Sequence, residues 1–306
     1  MKEEFMNKPF ERIAVVGAGL LGTQIAMLSV YAGYKVTAFD TRKSAFDETY
    51  DKLFADLKAK GVTPFIPWND WEKCKRGVSF TTDMNEALRD VDFVVEAATE
   101  DVELKRKIFR QMGETAPPMA IFATNSSSLP ISRMEESSGR PERCINTHFY
   151  LPLQGMNMAD IMPGTKTIAE VMQKGEQWIR SLGIVPLRVK KELLGFCFNS
   201  VWRAIKKQAL YMWGNDFADF RDIDRGWRIF TGMKVGIFAL MDTVGLDTVY
   251  NIEMVYYGDS KDPKDKPPDA LMEKIKKGEL GVKSGKGFYT YPNPEFLQPD
   301  FLNPKK

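Results

Sequence analysis

The chain has 306 residues, enough for two domains of ordinary size, each with its own core. Its 43% hydrophobic and 27% charged residues are those of a soluble globular protein, and no run approaches the roughly 18 apolar residues of a membrane span. Forty-three basic against 41 acidic residues leave a formal net charge of +2, which argues against a dedicated nucleic-acid surface and is neutral toward small anionic ligands.

At the N-terminus Lys2, Glu3 and Glu4 precede Phe5 without the apolar core of a secretory signal, so a cytoplasmic protein with neither a membrane nor a nucleic-acid partner is expected. Short runs rich in Val, Ile and Phe then recur at Ile13–Val16, Val36–Phe39, Phe93–Ala98, Ala120–Thr124, Cys144–Phe149 and Val185–Val189. Helix-length stretches separate them, which is the pattern of a parallel sheet covered on both faces. Residues 44–78, charged and interrupted by Pro64 and Pro67, read as a helical excursion from that sheet. Past Lys190 the period changes. Phe198, Val201, Trp202, Ile205 and Leu210 recur at helical spacing, and Phe230 to Val255 is a second long helical region. Only the stretch near Phe288–Tyr291 reads as a strand there, and the tail from Pro292, with Pro294, Pro299 and Pro304, reads as extended. Cys74, Cys144 and Cys197 are odd in number and far apart, so they read as reduced thiols. The single histidine, His148, rules out a multi-histidine metal site and leaves one candidate for any imidazole chemistry; no metal is expected.

Residues 12–22, RIAVVGAGLLG, run a buried strand into Gly17, Gly19 and Gly22 at GxGxxG spacing, and Thr23–Ala32 is helix-forming. The first glycine makes the turn, the second admits a pyrophosphate to the backbone, and the third lets helix pack on strand. The loop Gly17, Gly19, Leu20, Leu21 and Gly22 is therefore assigned to cofactor phosphates at a helix N-terminus. A second strand ends in Asp40, about 20 residues on, where an acid binds the adenosine ribose and repels a 2′-phosphate. NAD is the expected cofactor, with Arg42 nearby as the residue that would accommodate NADP. The fold class is then α/β: a Rossmann-type doubly wound sheet over residues 1–190, followed by a smaller all-α domain over 191–306.

TNSSSLPIS (124–132) follows the fourth apolar run, THFY ends the next one in His148, Asp160 comes a few residues later, and Asn199 lies in GFCFN at the start of the helical part. With GAGLLG, VVEAATEDVELK (94–105), DTVGLD (242–247) and KSGKGFY (283–289), these motifs make the chain resemble the 3-hydroxyacyl-CoA dehydrogenase family nearly end to end. The resemblance implies NAD-dependent interconversion of a (3S)-3-hydroxyacyl-CoA and its 3-oxoacyl-CoA. It implies His148 as acid/base, Asp160 as its orienting carboxylate, and Ser127 and Asn199 as hydrogen-bond partners of the substrate oxygens. Glu100, Lys105, Asn125 and Lys283 match family positions near the cofactor, Lys105 also near the acyl-CoA, and the helical domain would form a homodimer. A histidine oriented by a carboxylate suits proton exchange near neutral pH.

Two departures bear on substrate. The family has Glu where Asp160 stands, one methylene longer, and reads HFFNP where this chain reads His148-Phe149-Tyr150-Leu151-Pro152. Leu151 thus replaces an asparagine near the nicotinamide. Trp202, Trp213, Trp227, Phe230 and Phe238 are either core or the walls of an unusual acyl pocket. The mixed charge of residues 43–76 permits coenzyme A binding without requiring it. Two alternatives stay open: a dehydrogenase of a free hydroxy acid, such as carnitine or a sugar acid, and an NAD-binding protein without catalysis.

Overall fold

The structure, a computed structural model, describes residues 8–59, 61, 66–150 and 157–303. The chain divides into two compact units between Cys197 and Phe198.

The first unit is built on β1 (Arg12–Val16), β2 (Lys35–Phe39), β3 (Val78–Thr81), β4 (Phe93–Glu96), β5 (Ile121–Thr124), β6 (Cys144–Phe149), β7 (Met158–Pro163) and β8 (Val185–Arg188). They form one sheet in the order β3-β2-β1-β4-β5-β6-β7-β8. β1 to β6 run parallel, β7 is antiparallel to β6, and β8 is parallel to β7. Helices α1 (Leu20–Tyr31), α2 (Ala45–Ala59), α3 (Trp68–Gly77), α4 (Met84–Leu88), α5 (Val102–Thr115) and α6 (Ala169–Ser181) cover it. Alternation along β1 explains why it has two cores. Ile13 and Val15 join one cluster with Ile25 of α1 and Trp178 of α6, while Ala14 and Val16 join another with Phe109 and Met112 of α5. The excursion after β2 holds α2 and α3, packed together through tilted and edge-on contacts of Tyr50 and Phe54 with Trp71 and Trp68.

The second unit comprises α7 (Phe198–Gly214), α8 (Phe220–Thr231), α9 (Ile237–Val244), α10 (Leu246–Ser260) and α11 (Asp269–Lys276). Its core gathers Leu210, Phe220, Phe238, Met241, Leu246 and Phe288, with Trp202, Trp213 and Trp227 packed against it. Of the five aromatic residues singled out in the sequence, Phe238 is fully buried whereas Phe230 is 92% exposed. The stretch at Phe288–Tyr291 differs from the expected strand. Only isolated bridges, Gly281 with Lys286 and Lys286 with Thr290, form there. A buried carboxylate does the work of a partner strand, since Asp242 accepts the backbone N–H groups of Phe288 and Tyr289, each at 2.8 Å. No helix among the described residues is long and apolar enough to cross a membrane.

Candidate active site

The phosphate loop leaves β1 at Gly17, whose φ of +106° only glycine adopts without strain. A Cβ at Gly22 would stand 1.9 Å from the Gly17 carbonyl oxygen, so the third glycine is what lets α1 close on the strand. A Cβ at Gly19 would meet nothing within 4 Å. α1 starts with Gly19 as its N-cap, without a side-chain cap or an acid in the first turn, and its leading amides keep their positive end. Leu20 is exposed and Leu21 half-buried on that first turn.

A cavity of about 470 Å³ opens beside the loop, lined by Gly17, Gly19, Asp40, Thr41, Ala97 and Leu104 among others. Asp40 directly follows β2, with Oδ2 accepting the Ala18 amide and Oδ1 the Arg42 amide, both at 3.0 Å, which fixes the carboxylate at the cavity wall. The Arg42 guanidinium is drawn 2.8 Å from Glu48 Oε2, so its charge is already engaged. An acid at the ribose position and an occupied arginine fit NAD. A smaller cavity of about 200 Å³ shares Ala97 and Ala98 with the first and is lined by Leu21, Glu100, Asn125, Ser126 and Ser127.

Around that second cavity the chain ends of β4 and β5 are tied together. Glu100 Oε1 accepts Ser126 Oγ at 2.7 Å and the amides of Ser127 and Ser128 at 2.9 and 3.1 Å. Burial works to raise the Glu100 pKa, but the Ser126 hydroxyl, the Lys105 ammonium and these amides outweigh it and leave it lowered. Asn125 is buried, its Oδ1 accepting the Phe149 amide at 3.0 Å, which locks the TNSSS turn onto the end of β6. Lys105 borders the cavity, yet its ammonium points into the unit: it lies 2.6 Å from Glu96 Oε1 and 3.4 Å from Glu100 Oε2, with 1% of its side chain exposed.

β6 and β7 bring the proton-handling groups together. Their antiparallel register sets His148 directly opposite Asp160. Ser127 Oγ stands 3.0 Å from His148 Nε2, and Asp160 Oδ2 stands 3.5 Å from Nδ1 on the other side of the ring. That second approach is a close contact and not an aligned hydrogen bond, since Nδ1 has no hydrogen-bond partner. Asp160 is fully buried; its Oδ1 accepts the Cys197 amide at 3.2 Å and its Oδ2 a close hydrogen bond from the Tyr150 hydroxyl. Phe196, held at φ +53°, stacks flat on the imidazole with ring centroids 4.8 Å apart and planes 1° from parallel. A bulky residue in the left-handed region is strained, and such strain concentrates at functional sites.

Tyr150 and Phe196 were missed in the sequence. Tyr150 directly follows β6, two residues past His148, so its nearness to the histidine was readable from the motif, whereas Phe196 carried no such signal. Asn199 and Lys283 belong to the second unit. Asn199 is the half-buried second residue of α7, and Lys283 Nζ pairs with Asp247 Oδ2 at 2.7 Å. Leu151 lies outside the described residues. Among the described residues no cluster of three or more His, Cys, Asp or Glu side chains is arranged to hold a metal ion.

Residues 12–193 match the 3-hydroxyacyl-CoA dehydrogenase NAD binding domain, and residues 195–291 match the C-terminal domain of the same family. The chain belongs to the 3-hydroxyacyl-CoA dehydrogenase family. Among its relatives is a probable 3-hydroxybutyryl-CoA dehydrogenase of Deinococcus radiodurans, 30% identical over 92% of this chain and 100% of the relative. A diketoreductase structure, described as performing substrate-directed dual catalysis of dicarbonyl compounds, is 34% identical with a TM-score of 0.83, covering 92% of this chain and 99% of its own. The (S)-3-hydroxybutyryl-CoA dehydrogenase of Ralstonia eutropha is 27% identical with a TM-score of 0.79, covering 93% and 100% respectively. This family dehydrogenase uses NAD, in keeping with the loop and Asp40 described above.

Proposed function

We propose that the enzyme interconverts a (3S)-3-hydroxyacyl-CoA and the 3-oxoacyl-CoA, with His148 as the acid/base. The observation that carries this reading is the line Ser127 Oγ, His148 Nε2, His148 Nδ1, Asp160 Oδ2, with contacts of 3.0 and 3.5 Å on either side of the ring. In the oxidation direction His148 Nε2 takes the proton of the 3-hydroxyl while the hydride leaves C3; in reduction the same nitrogen returns it. NAD supplies the hydride acceptor. Ser127 hydrogen-bonds the reacting oxygen, Asp160 faces the imidazolium that forms, and Asn199 binds the thioester side of the substrate. Gly17, Gly19, Leu20, Leu21 and Gly22 hold the pyrophosphate, Asp40 the adenosine ribose, and Glu100, Asn125, Lys105 and Lys283 support the nicotinamide end. Glu100 does so by holding the turn that presents Ser127. The (S) sense and the thioester rest on the enzymes this chain resembles.

A second reading has a specific support. The 34% identical diketoreductase acts on dicarbonyl compounds, so reduction of a free dicarbonyl substrate, including one from a free hydroxy acid, competes with the thioester reading. The second unit exposes Phe230, Val201, Ile229 and Met233, and we assign this apolar surface to a homodimer of a cytoplasmic enzyme, testable by sedimentation.

The deciding experiment follows NADH oxidation with acetoacetyl-CoA beside free acetoacetate, 3-dehydrocarnitine and a simple diketone. Turnover of the thioester alone supports the acyl-CoA reading, and turnover of a free compound alone replaces it. In either case His148→Gln should lower turnover about 10²–10⁴-fold with NADH affinity unchanged; full turnover in that variant removes His148 from the mechanism.

A further inference from the structure

A carboxylate that orients a catalytic imidazole has to stay in place while the ring gains and loses its proton. Asp160 is one methylene shorter than the glutamate of the family pattern, and its Oδ2 stops 3.5 Å from His148 Nδ1 without an aligned hydrogen bond. The side chain is nonetheless anchored from two directions. Cys197 donates its amide to Oδ1 at 3.2 Å, and the Tyr150 hydroxyl donates to Oδ2, the oxygen that faces the imidazole. Tyr150 also sets its ring edge-on to His148, with centroids 4.6 Å apart and planes at 72°, opposite in kind to the flat face offered by Phe196. Asp160 and Tyr150 are both buried, so the hydroxyl and carboxylate exclude water from the contact they make. The family pattern HFFNP carries phenylalanine where Tyr150 stands, so a hydroxyl appears in the same chain as the shortened acid.

We propose that Tyr150 is a positioning residue for His148, its hydroxyl holding Asp160 Oδ2 beneath Nδ1 where the longer side chain of a glutamate would reach unaided. This rests on His148 being the acid/base. The proton moves only between the substrate hydroxyl and Nε2, while the Tyr150 hydroxyl, donating to Oδ2, keeps that oxygen facing Nδ1. Charge-assisted hydrogen bonds of this kind are the stronger ones, and they fix geometry as well as energy.

Four proteins without affinity tags decide it: wild type, Tyr150→Phe, Asp160→Glu, and the double variant Tyr150→Phe/Asp160→Glu. Tyr150→Phe should lower kcat for NADH-dependent reduction about tenfold to a hundredfold, the worth of a hydrogen bond to a charged group, with KM and NADH affinity within about twofold. The double variant should recover most of the loss, because the longer acid reaches the ring without the hydroxyl's support. His148 is the chain's one histidine, so imidazole ¹⁵N spectra report on it directly and need no substrate. The wild type should show the tautomer protonated at Nδ1, Tyr150→Phe a mixture of tautomers, and the double variant the Nδ1 form again. Identical spectra for wild type and Tyr150→Phe overturn the assignment. So does an equal fall in kcat, NADH affinity and thermal midpoint that Asp160→Glu does not relieve, which is the mark of a merely structural residue. His148→Gln run alongside separates the two ideas: a silent His148→Gln with a fully active Tyr150→Phe removes Tyr150 alone, whereas an active His148→Gln removes the acid/base reading beneath it.

Discussion

Lys105 offers the sharpest test of how the cofactor side of the site is held. Its ammonium lies 2.6 Å from Glu96 and 3.4 Å from Glu100, and Glu96 is fully buried. Truncating one member of a buried ion pair leaves the other charge stranded, at a cost of about 3–5 kcal/mol. In Lys105→Met, Glu96 keeps the Thr124 hydroxyl at 2.6 Å and the Ala98 amide at 2.7 Å, which holds the loss to the lower end, about 3 kcal/mol. For a unit of this size that is a fall of about 6–12 °C in thermal midpoint. Calorimetry of wild type, Lys105→Met and Lys105→Met/Glu96→Gln measures it, and the double variant should recover at least half by removing the stranded charge. NADH titrations on the same samples serve as the control. A thermal midpoint unchanged in Lys105→Met, together with a large loss of NADH or acyl-CoA affinity, would refute the argument and make Lys105 a direct ligand contact.

Two further outcomes follow from single distances. Gly19→Ala should leave the thermal midpoint within about 2 °C while weakening NADH binding at least tenfold, because its methyl meets no protein atom and enters the space beside the loop; Gly22→Ala should lose stability, its methyl driven onto the Gly17 carbonyl. Fluorescence titration and thermal melts separate the two, and equal behaviour of both variants would sink the assignment of the loop. In the second unit Glu279 is paired with Lys274 and Lys286, both at 2.8 Å, and the hydrogen bonds from these two lysines bring its pKa down to about 2. A depressed carboxylate contributes stability above its unfolded value, lost as pH falls through the folded one, so Glu279→Gln should cost about 1 kcal/mol at pH 7 and progressively less from pH 4.5 toward 2. A difference in melting midpoint that stays constant over that range would contradict it.

What the sequence made legible was whatever an apolar run or a fixed spacing announces. β1, β4, β5 and β6 are short stretches of almost wholly buried residues, β2 and β8 are runs that the sheet leaves partly exposed, and the glycine spacing after β1 marks its own turn. β3 and β7 escaped for physical reasons. Val78–Thr81 has one buried residue in four and follows a charged helix directly, while β7 carries a buried acid, Asp160, in the middle of Met158–Pro163. An acid inside a strand reads as a loop until a partner strand is known to bring it a histidine. The consequence reaches the site itself. Ser127, His148 and Asp160 were chosen by motif, but that Asp160 faces His148 across an antiparallel pair, that Tyr150 shares its oxygen, and that Phe196 covers the ring are facts of register and of one left-handed residue. Composition encodes none of them, and spacing only the nearness of Tyr150 to His148. Replacing glutamate by aspartate at this position changes little in a motif and a full methylene in space, and the side chain that answers it stands two residues from the histidine, just past the end of its strand.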